Sequence, residues 1–507
     1  MTGTKCLQLI AVIVAAASWL TTNLLTLTAY PPITCDEVSY SSPAAQFLLN
    51  GKWGTQTDAG RDGLSENAVA LGRLYLGSIA LSFWLLGRSA FAARLVTVVA
   101  WALGIWGVFL LGRRFYTPAV GWLSAALMAA SWVPLLQGHV ARPDMTLASA
   151  VVWVTLLLWF SLEAPSVLKL GSLGLAAGLL LEIHLNGIHF IAAASLIFGA
   201  YALRQRWPWR WWAAFGLGMA AAGLIWLTLH AWAAPSTSLT GQHSAVRGAL
   251  NVAAQLQSLA GLPQFIVEYY LWGGGPGLFT ALIVLPGLGV ALWRRTRADK
   301  LVLAFVALSL LVFGLLRYSK PAYYTIIWMP LLVVLASRGL GVLAETLPPL
   351  PLLPTASRRL WVISGGVLAV YLAGSAYLLI KFSDHSFDRI TAQLQNSIEP
   401  GAVVFGNPRA WFALPQRTII DDLQLAIISG RSERPLTKDG VYELLAAVYR
   451  PDYLLLGSSI SCFAAPVPEA QFLRQIAEEH CQVVTVIAEP WYEPNTLYRC
   501  SFAGSSN

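Results

Sequence analysis

Charged residues are scarce in this chain of 507 residues: they make up 11% of it, against about 25% in a typical soluble domain. Hydrophobic residues supply 56%. The scarcity excludes an ordinary soluble protein up to Lys381, and 14 of the 25 acidic residues come after that position. Several apolar runs before it reach the roughly 20 residues that a helix needs to cross a bilayer. We therefore predict a polytopic α-helical membrane domain over residues 1–381 and a small α/β soluble domain over residues 382–507.

Cysteine is also rare, and five cysteines do not make the disulfide framework of a small secreted protein. The soluble part holds Cys462, Cys481 and Cys500, so one bridge can form there, and the sequence leaves all three pairings open. Neither the cysteine nor the histidine spacing matches a structural zinc site. The net charge of +8 does not indicate a nucleic-acid partner, because its distribution among the loops of a membrane protein matters more than its sum.

The soluble part alternates short β-rich runs with helical stretches, which is typical of an α/β domain. It has neither a glycine-rich phosphate loop nor a nucleophile elbow, so we expect scaffolding or acceptor recognition rather than a second active site. The predicted strands are 402–405, 418–420, 453–456 and 483–486, and the predicted helices are 386–397, 439–449 and 467–480.

The hydrophobic pattern predicts eleven spanning helices, with the amino terminus in the cytoplasm. The first is retained, because no small-residue cleavage signature follows it. This topology gathers cations at the cytoplasmic ends, as the positive-inside rule requires. The predicted spans are 7–28, 90–112, 117–137, 145–163, 167–183, 186–203, 210–230, 276–293, 301–316, 321–337 and 359–381. The cytoplasmic cations are Lys5, Arg113, Arg114, Lys169, Arg204, Arg206, Arg210, Arg294, Arg295, Arg297, Lys300, Arg338, Arg358 and Arg359.

Residues 67–86 form a further apolar segment that could be a twelfth span. Counting it would place Asp36 and Asp144 on opposite sides of the membrane, and Arg73 within it argues against burial in lipid. We therefore predict a helix that lies at the membrane interface.

The extracytoplasmic side then receives two acidic sites. Asp36 and Glu37 follow Pro31-Pro32, which end the first helix. Asp144 lies near the start of the fourth span, next to Arg142. Each site has a structural alternative: Asp36 could cap the short helix that follows it, and Asp144 could favour a helix amino terminus with Arg142 as its ion-pair partner.

Two cations, Arg317 and Lys320, fall on the side that the charge rule depletes of them. Pro321 suits the first turn of the next span, and Tyr323 and Tyr324 follow. An arginine and a lysine flanked by tyrosines suit a phosphate at headgroup depth. The alternative is that both cations merely extend from a helix end towards water.

Carboxylates and a phosphate-binding pair together indicate one kind of reaction. A sugar on polyprenyl phosphate already carries a good leaving group, so it needs no general acid. It needs a carboxylate that takes the proton from an acceptor hydroxyl, and cations that hold the phosphate as its charge develops. In-line attack would invert the anomeric centre, unlike the two-carboxyl arrangement of a hydrolase.

These motifs resemble the GT-C superfamily of polyprenyl-phosphate-dependent glycosyltransferases, in particular the protein O-mannosyltransferase and aminoarabinose-transferase family. The resemblance covers about residues 1–340 and rests on the order and spacing of short motifs. They are Asp36-Glu37 with Tyr40, Gly51-Lys52-Trp53, Leu86-Gly87, Phe91-Ala92-Ala93-Arg94-Leu95, Asp144, Lys320-Pro321 with Tyr323-Tyr324, and Met329-Pro330.

The resemblance implies that Asp36 is the general base and that Glu37 and Asp144 orient the acceptor or the sugar. It implies that Arg317 and Lys320 hold the lipid phosphate. Further expected substrate-binding residues are Tyr40, Arg142, His184, His243, Tyr323 and Tyr324.

A metal ion is conceivable near His184 and His189, since some relatives use a divalent cation. Their spacing is poor for one helical face, so we expect no required metal and polar groups hydrogen-bonded within the bundle. His243 belongs to the loop 231–275, which is either a surface loop with an interfacial helix or a mobile cover over the acceptor entrance, hinged at its glycines.

The expected function is an inverting glycosyltransferase of the plasma membrane, with its active site and soluble domain outside the cytoplasm. Its donor would be a polyprenyl-phosphate-linked sugar, and its acceptor a hydroxyl of a lipid, glycan or protein. The main alternative is a polytopic transporter or lipid flippase, which would place ionisable groups near the bilayer midplane. A third is a ligase or polymerase that uses a polyprenyl diphosphate carrier.

Overall fold

The structure of the chain is a computed structural model. It describes residues 3–57, 72–232, 252–271, 274–316, 320–349, 351–431, 436–457 and 468–502. Arg317, His243 and Cys462, which the sequence singled out, lie outside these ranges, as does most of the predicted cover loop.

Residues up to Lys381 form a bundle of helices, and they confirm the predicted α-helical class. The helices are α1 (Gly3–Thr26), α2 (Cys35–Asn50), α3 (Arg73–Leu86), α4 (Ala90–Phe115), α5 (Pro118–Ala130), α6 (Trp132–Gly138), α7 (Pro143–Glu163), α8 (Val167–Leu179), α9 (Gly187–Arg204), α10 (Trp209–Trp226), α11 (Val252–Ala260), α12 (Leu262–Ile266), α13 (Gly274–Arg294), α14 (Arg297–Leu316), α15 (Met329–Thr346) and α16 (Ala356–Lys381). Short 3₁₀ or π turns occupy Leu180–Glu182, Leu227–Trp232, Val267–Leu271 and Ala322–Ile327.

Every predicted span coincides with a helix, but the number of spans stays a prediction. Among the described residues, seven helices are long and apolar enough to cross a membrane, and the bent pair α5–α6 makes an eighth if it is one span. Shorter apolar helices include Ile10–Thr26 and Leu278–Arg294. Helix α3 is apolar too and packs against α2 and α4. Its position at the membrane interface stays a prediction.

Two predicted spans are broken by proline. Helices α5 and α6 meet at 58° after Ala130. A continuous helix would bring the ring of Pro134 against the carbonyl of residue 130, which explains the break. The span predicted at 321–337 starts as the 3₁₀ turn Ala322–Ile327, and α15 follows with Pro330 in its first turn. Pro321 itself is extended and precedes that turn, so its expected place in the first helical turn is wrong.

The carboxy-terminal part is an α/β domain built on five strands in the order β2-β1-β3-β5-β4. Strands β1, β2 and β3 are parallel, whereas β5 runs antiparallel to both of its neighbours. The strands are β1 (Val403–Gly406), β2 (Thr418–Asp421), β3 (Tyr453–Leu456), β4 (Cys481–Ile487) and β5 (Asn495–Cys500). The helices are α17 (Ser386–Ser397), α18 (Ala410–Ala413), α19 (Leu423–Arg431), α20 (Lys438–Glu443) and α21 (Pro468–His480), and a π turn occupies Leu444–Tyr449.

The strand that the sequence did not predict, β5, explains the disulfide. Cys481 and Cys500 face each other across the antiparallel pair β4–β5 and are bonded, which selects one of the three pairings left open. Cys35 is disulfide-bonded as well.

The α/β domain packs on the end of the bundle where α2 begins. The backbone N–H of Ile33 donates to the hydroxyl of Tyr492 (2.8 Å), and the Trp411 indole donates to the Gln56 side chain (2.9 Å). The guanidinium of Arg88, at the α3–α4 corner, lies 3.8 Å from the centre of the Trp411 ring. The soluble domain therefore covers the loops that carry the first acidic site.

Candidate active site

The turn before α2 shows which residue caps that helix. The N-cap of α2 is Thr34, whose backbone N–H donates to the Glu37 carboxylate (2.8 Å). Asp36 lies one residue inside the helix and does not cap it, so the structural alternative for Asp36 is wrong.

Glu37 and Arg94 form a buried ion pair beneath this turn. Arg94 donates to both carboxylate oxygens of Glu37 at 2.7 Å, and neither side chain is exposed. The backbone N–H of Ala141 also donates to Glu37 (2.9 Å), and Arg94 donates to the carbonyl oxygens of Leu27 and Pro31. Because protein donors enclose its carboxylate, the geometry of Glu37 suits a positioning role better than the expected contact with substrate.

Arg142 joins the two acidic sites. Its Nε donates to Asp144 (2.9 Å), and one of its terminal nitrogens donates to Asp36. The structure thus brings together the two loops whose acids the sequence placed on the same face, and it contains the Arg142–Asp144 pair that the structural alternative named.

The two carboxylates differ in accessibility. The Asp36 side chain is 31% exposed, whereas that of Asp144 is completely buried. Among the described residues, Oδ1 of Asp144 has no hydrogen-bond partner. Burial raises the pKa of Asp36 above its usual value; Arg142 opposes the shift, while Asp144 and Glu37 add to it. Asp36 is therefore the carboxylate that a substrate can reach.

Tyrosine rings surround the Arg142 guanidinium. Its carbon lies 3.7 Å from the ring centre of Tyr323 and 5.9 Å from that of Tyr40. Tyr324 packs edge-on against Tyr323, with ring centres 4.7 Å apart, and the His184 ring lies 6.0 Å from Tyr324. Four expected binding residues thus form one aromatic layer beside the carboxylates.

Lys320 is hydrogen-bonded to helix α11. Its ammonium donates to the backbone carbonyl of Ser258 (2.6 Å) and to the Ser258 hydroxyl (3.1 Å). Burial lowers the pKa of Lys320. Lys320 is three residues from Tyr323, so the cation and two members of the aromatic layer, Tyr323 and Tyr324, belong to one segment of the chain.

Comparisons with known proteins show which chains this one is similar to. A family model described as dolichyl-phosphate-mannose-protein mannosyltransferase matches residues 75–226. Over 319 residues the chain is 28% identical to undecaprenyl phosphate-alpha-4-amino-4-deoxy-L-arabinose arabinosyl transferase of Pseudomonas aeruginosa (strain UCBPP-PA14), a match that covers 59% of this chain and 54% of that protein. Both matches are to glycosyltransferases, and in sequence the chain is similar to the GT-C superfamily. It spans about half the length of the curated relative it matches.

Several solved structures share the fold of this chain. ArnT from Cupriavidus metallidurans in the apo state has a TM-score of 0.62 at 17% identity and covers 97% of this chain and 98% of its own. The same enzyme bound to undecaprenyl phosphate has a TM-score of 0.63 at 16% identity, covering 97% and 99%. The oligosaccharyltransferase of Archaeoglobus fulgidus reaches 0.54 at 11% identity, over 87% of this chain and 67% of its own.

The motifs in the sequence do not reveal two buried polar clusters that the structure shows. Arg94 was noticed only as part of a motif, although a charge inside an apolar span is itself a signal of function. The second cluster is Glu182, which pairs with His230 (3.1 Å) and accepts from the backbone N–H of Arg73 (3.0 Å). It agrees with the expectation of polar groups hydrogen-bonded within the bundle near His184.

No group of three or more His, Cys, Asp or Glu side chains is placed to hold a metal ion in the part of the chain that the structure describes. Activity without a metal stays a prediction, and chelator treatment of the purified protein is its test.

Proposed function

We propose that this multi-pass membrane protein is a glycosyltransferase that moves a sugar from a polyprenyl-phosphate donor to a hydroxyl of a lipid, glycan or protein acceptor. The observation that carries the proposal is the accessible carboxylate of Asp36, paired with Arg142 and placed next to the aromatic layer. The homology to an enzyme named as an undecaprenyl phosphate-linked arabinosyl transferase supports the donor class.

The proposed transfer of the sugar to an acceptor hydroxyl needs one general base. The acceptor oxygen attacks the anomeric carbon, and the bond from that carbon to the phosphate oxygen breaks. The phosphate leaves with the electron pair, and the acceptor proton passes to Asp36. Since nucleophile and leaving group are in line on opposite faces of the sugar, the anomeric centre inverts.

A raised pKa suits Asp36 to this task. A carboxylate that binds its proton more tightly is the better base, provided that it is ionised at working pH. Burial and the neighbouring acids raise the pKa, while the Arg142 cation favours the ionised form. Asp144, buried and ion-paired to the same arginine, is better suited to fixing Arg142 than to taking a proton.

The departing phosphate needs cations. Arg142 lies over the Tyr323 ring, and Lys320 precedes that tyrosine by three residues. A guanidinium and an ammonium both bind phosphate oxygens. Arg317, two residues before Ser319-Lys320, would add a second cation on that loop, although it lies outside the described residues. ArnT from Cupriavidus metallidurans has been solved bound to undecaprenyl phosphate, which supports a lipid phosphate as ligand here.

We place the reaction at the extracytoplasmic face of the plasma membrane. The support is the charge distribution: helix α4 carries Arg94 near its start and Arg113 and Arg114 in its last turn, and the latter end should face the cytoplasm. The α/β domain covers the end with the carboxylates, where it would position the acceptor.

The test is an assay of the purified protein with radiolabelled polyprenyl-monophosphate sugars and candidate acceptors. New radiolabelled glycosidic product supports the proposal. Uptake of labelled lipid or sugar into proteoliposomes without a new bond would instead make the protein a transporter or flippase. Transfer from the diphosphate carrier but not from the monophosphate would make it a ligase or polymerase.

A further inference from the structure

A groove of about 820 Å³ lies on the side of the bundle, away from Asp36 and Asp144. Helices α4, α7 and α8 form its walls. Eleven of its thirteen lining residues are apolar, among them Trp153, Phe160 and Leu179. Phe160 is partly exposed on the bundle surface, so the groove opens sideways, towards the hydrocarbon of a bilayer.

The two remaining lining residues are Arg113 and Arg114, at the end of α4. Arg114 pairs with Glu163 (2.6 Å). Arg113 is exposed and has no acidic partner within the described ranges. An apolar groove with a net positive entrance is complementary to an anion that carries a hydrocarbon chain.

Along α7 the groove is about as long as one membrane leaflet is thick. Along α7 its lining residues run from Ala150 to Phe160, which is about 15 Å at the rise of an α-helix. The hydrocarbon core of a bilayer is roughly 30 Å thick, so the chains of one leaflet extend over about half of that.

This entrance is far from the donor phosphate. Arg94, which touches the loop of Asp36, and Arg113 are separated by 19 residues of one continuous helix, or about 28 Å. A lipid whose phosphate lies at Arg113 therefore belongs to the other leaflet and is not the sugar donor.

We propose that this groove is a binding site for an anionic phospholipid of the cytoplasmic leaflet, with one acyl chain in the groove and the phosphate at Arg113 and Arg114. The end of the groove opposite Arg113 and Arg114 is lined by Leu180 and Ile183, which lie on either side of Glu182 in the chain. The bound chain packs against the turn that holds Glu182 on His230 and Arg73, and so supports the site-bearing end of the bundle.

The experiment is native mass spectrometry of the purified full chain with phosphatidylglycerol or phosphatidylcholine of identical acyl chains. We expect the anionic lipid to be retained roughly tenfold more strongly, a difference typical of one charge-assisted contact. Arg113→Ala should remove most of that preference. Its matched control is Arg358→Ala, another exposed cation at the predicted cytoplasmic end.

A second pair of variants tests the acyl chain. Ala176→Phe fills the groove and should lower retention of both lipids, while Ala221→Phe, on an exposed position of α10, should not. Equal retention of the two lipids, or equal losses in Arg113→Ala and Arg358→Ala, overturns the headgroup contact. Full competition by undecaprenyl phosphate, or no effect of Ala176→Phe, overturns the phospholipid assignment. These outcomes do not depend on whether the glycosyltransferase proposal holds.

Discussion

Arg94 donates hydrogen bonds to both carboxylate oxygens of Glu37, the residue next to Asp36, and this ion pair is wholly buried. The same arginine holds the carbonyl oxygens at the end of α1, and the same glutamate holds the backbone of Ala141, next to Arg142. The pair therefore fixes the distance between the loops that carry Asp36 and Arg142. In an acid-base site, small displacements of the base reduce the rate strongly.

The first prediction concerns this pair. Arg94→Leu leaves a buried carboxylate without its cation and should destabilise the protein by about 3–5 kcal/mol. The measurement is unfolding of the purified protein in detergent. Lys438→Ala is the control, because its pair with Glu479 is exposed and should contribute no more than about 1 kcal/mol. Equal effects of the two variants would contradict the positioning role of Glu37.

The second prediction concerns the base. Asp36→Asn keeps the size of the side chain but cannot accept a proton, so turnover should fall roughly 10²–10⁴-fold with folding intact. The control is Asp388→Asn, an exposed acid in the first turn of α17. Near wild-type transfer by Asp36→Asn would remove Asp36 from the mechanism and direct attention to Asp144.

The third prediction concerns the donor phosphate. Lys320→Ala should raise the KM for the polyprenyl-phosphate sugar, with a loss of about 1–3 kcal/mol for one charge-assisted hydrogen bond. Lys381→Ala removes an exposed cation from the last turn of α16 and should leave KM unchanged. If Lys320→Ala lowers stability while KM stays constant, the lysine only ties its loop to Ser258.

The spanning helices of this protein could be predicted from its sequence because most are long apolar runs with cations at one end. Their breaks were harder to predict: Pro134 signals the bend after Ala130, but proline also occurs within continuous helices, such as Pro286 in α13. Strand β5 has mixed polarity because it is paired on both sides but only half buried, so no apolar run marks it.

The acids and Arg142 could be placed on one face from loop order alone. The sequence does not predict that Glu37 points inwards and Asp36 outwards, because both residues follow the same turn. Only the contact of Glu37 with the buried Arg94 distinguishes the two acids. A buried arginine in the first turns of an apolar helix pairs with an acid or with backbone carbonyls, so Arg94 makes a nearby loop acid such as Glu37 a candidate partner.

The fourth prediction concerns the side of the membrane on which the α/β domain lies. A cysteine placed at Gln475, an exposed position of α21, should react with a membrane-impermeant thiol reagent added to intact cells. Lys300→Cys, at the opposite end of the bundle, should react only after permeabilisation. The unsubstituted chain gives the background. Protection of Gln475→Cys would overturn both the predicted eleven spans and the extracytoplasmic site.

The fifth prediction is the pH dependence of kcat/KM. Asp36 acts as a base only when ionised, and its pKa is raised by burial, so activity should fall with decreasing pH at a higher pH than the usual aspartate value of about 3.9. Arg142 opposes this shift, so Arg142→Gln should move the acidic limb to still higher pH. Asp388→Asn should leave the limb in place.

This profile also separates Asp36 from Asp144. Any activity that remains in Asp36→Asn should lack the acidic limb, because the group that titrates has been removed. An unchanged limb in that variant would assign the titration to another acid. If the limb persisted in Asp36→Asn and disappeared in Asp144→Asn, the base would be Asp144 and not Asp36.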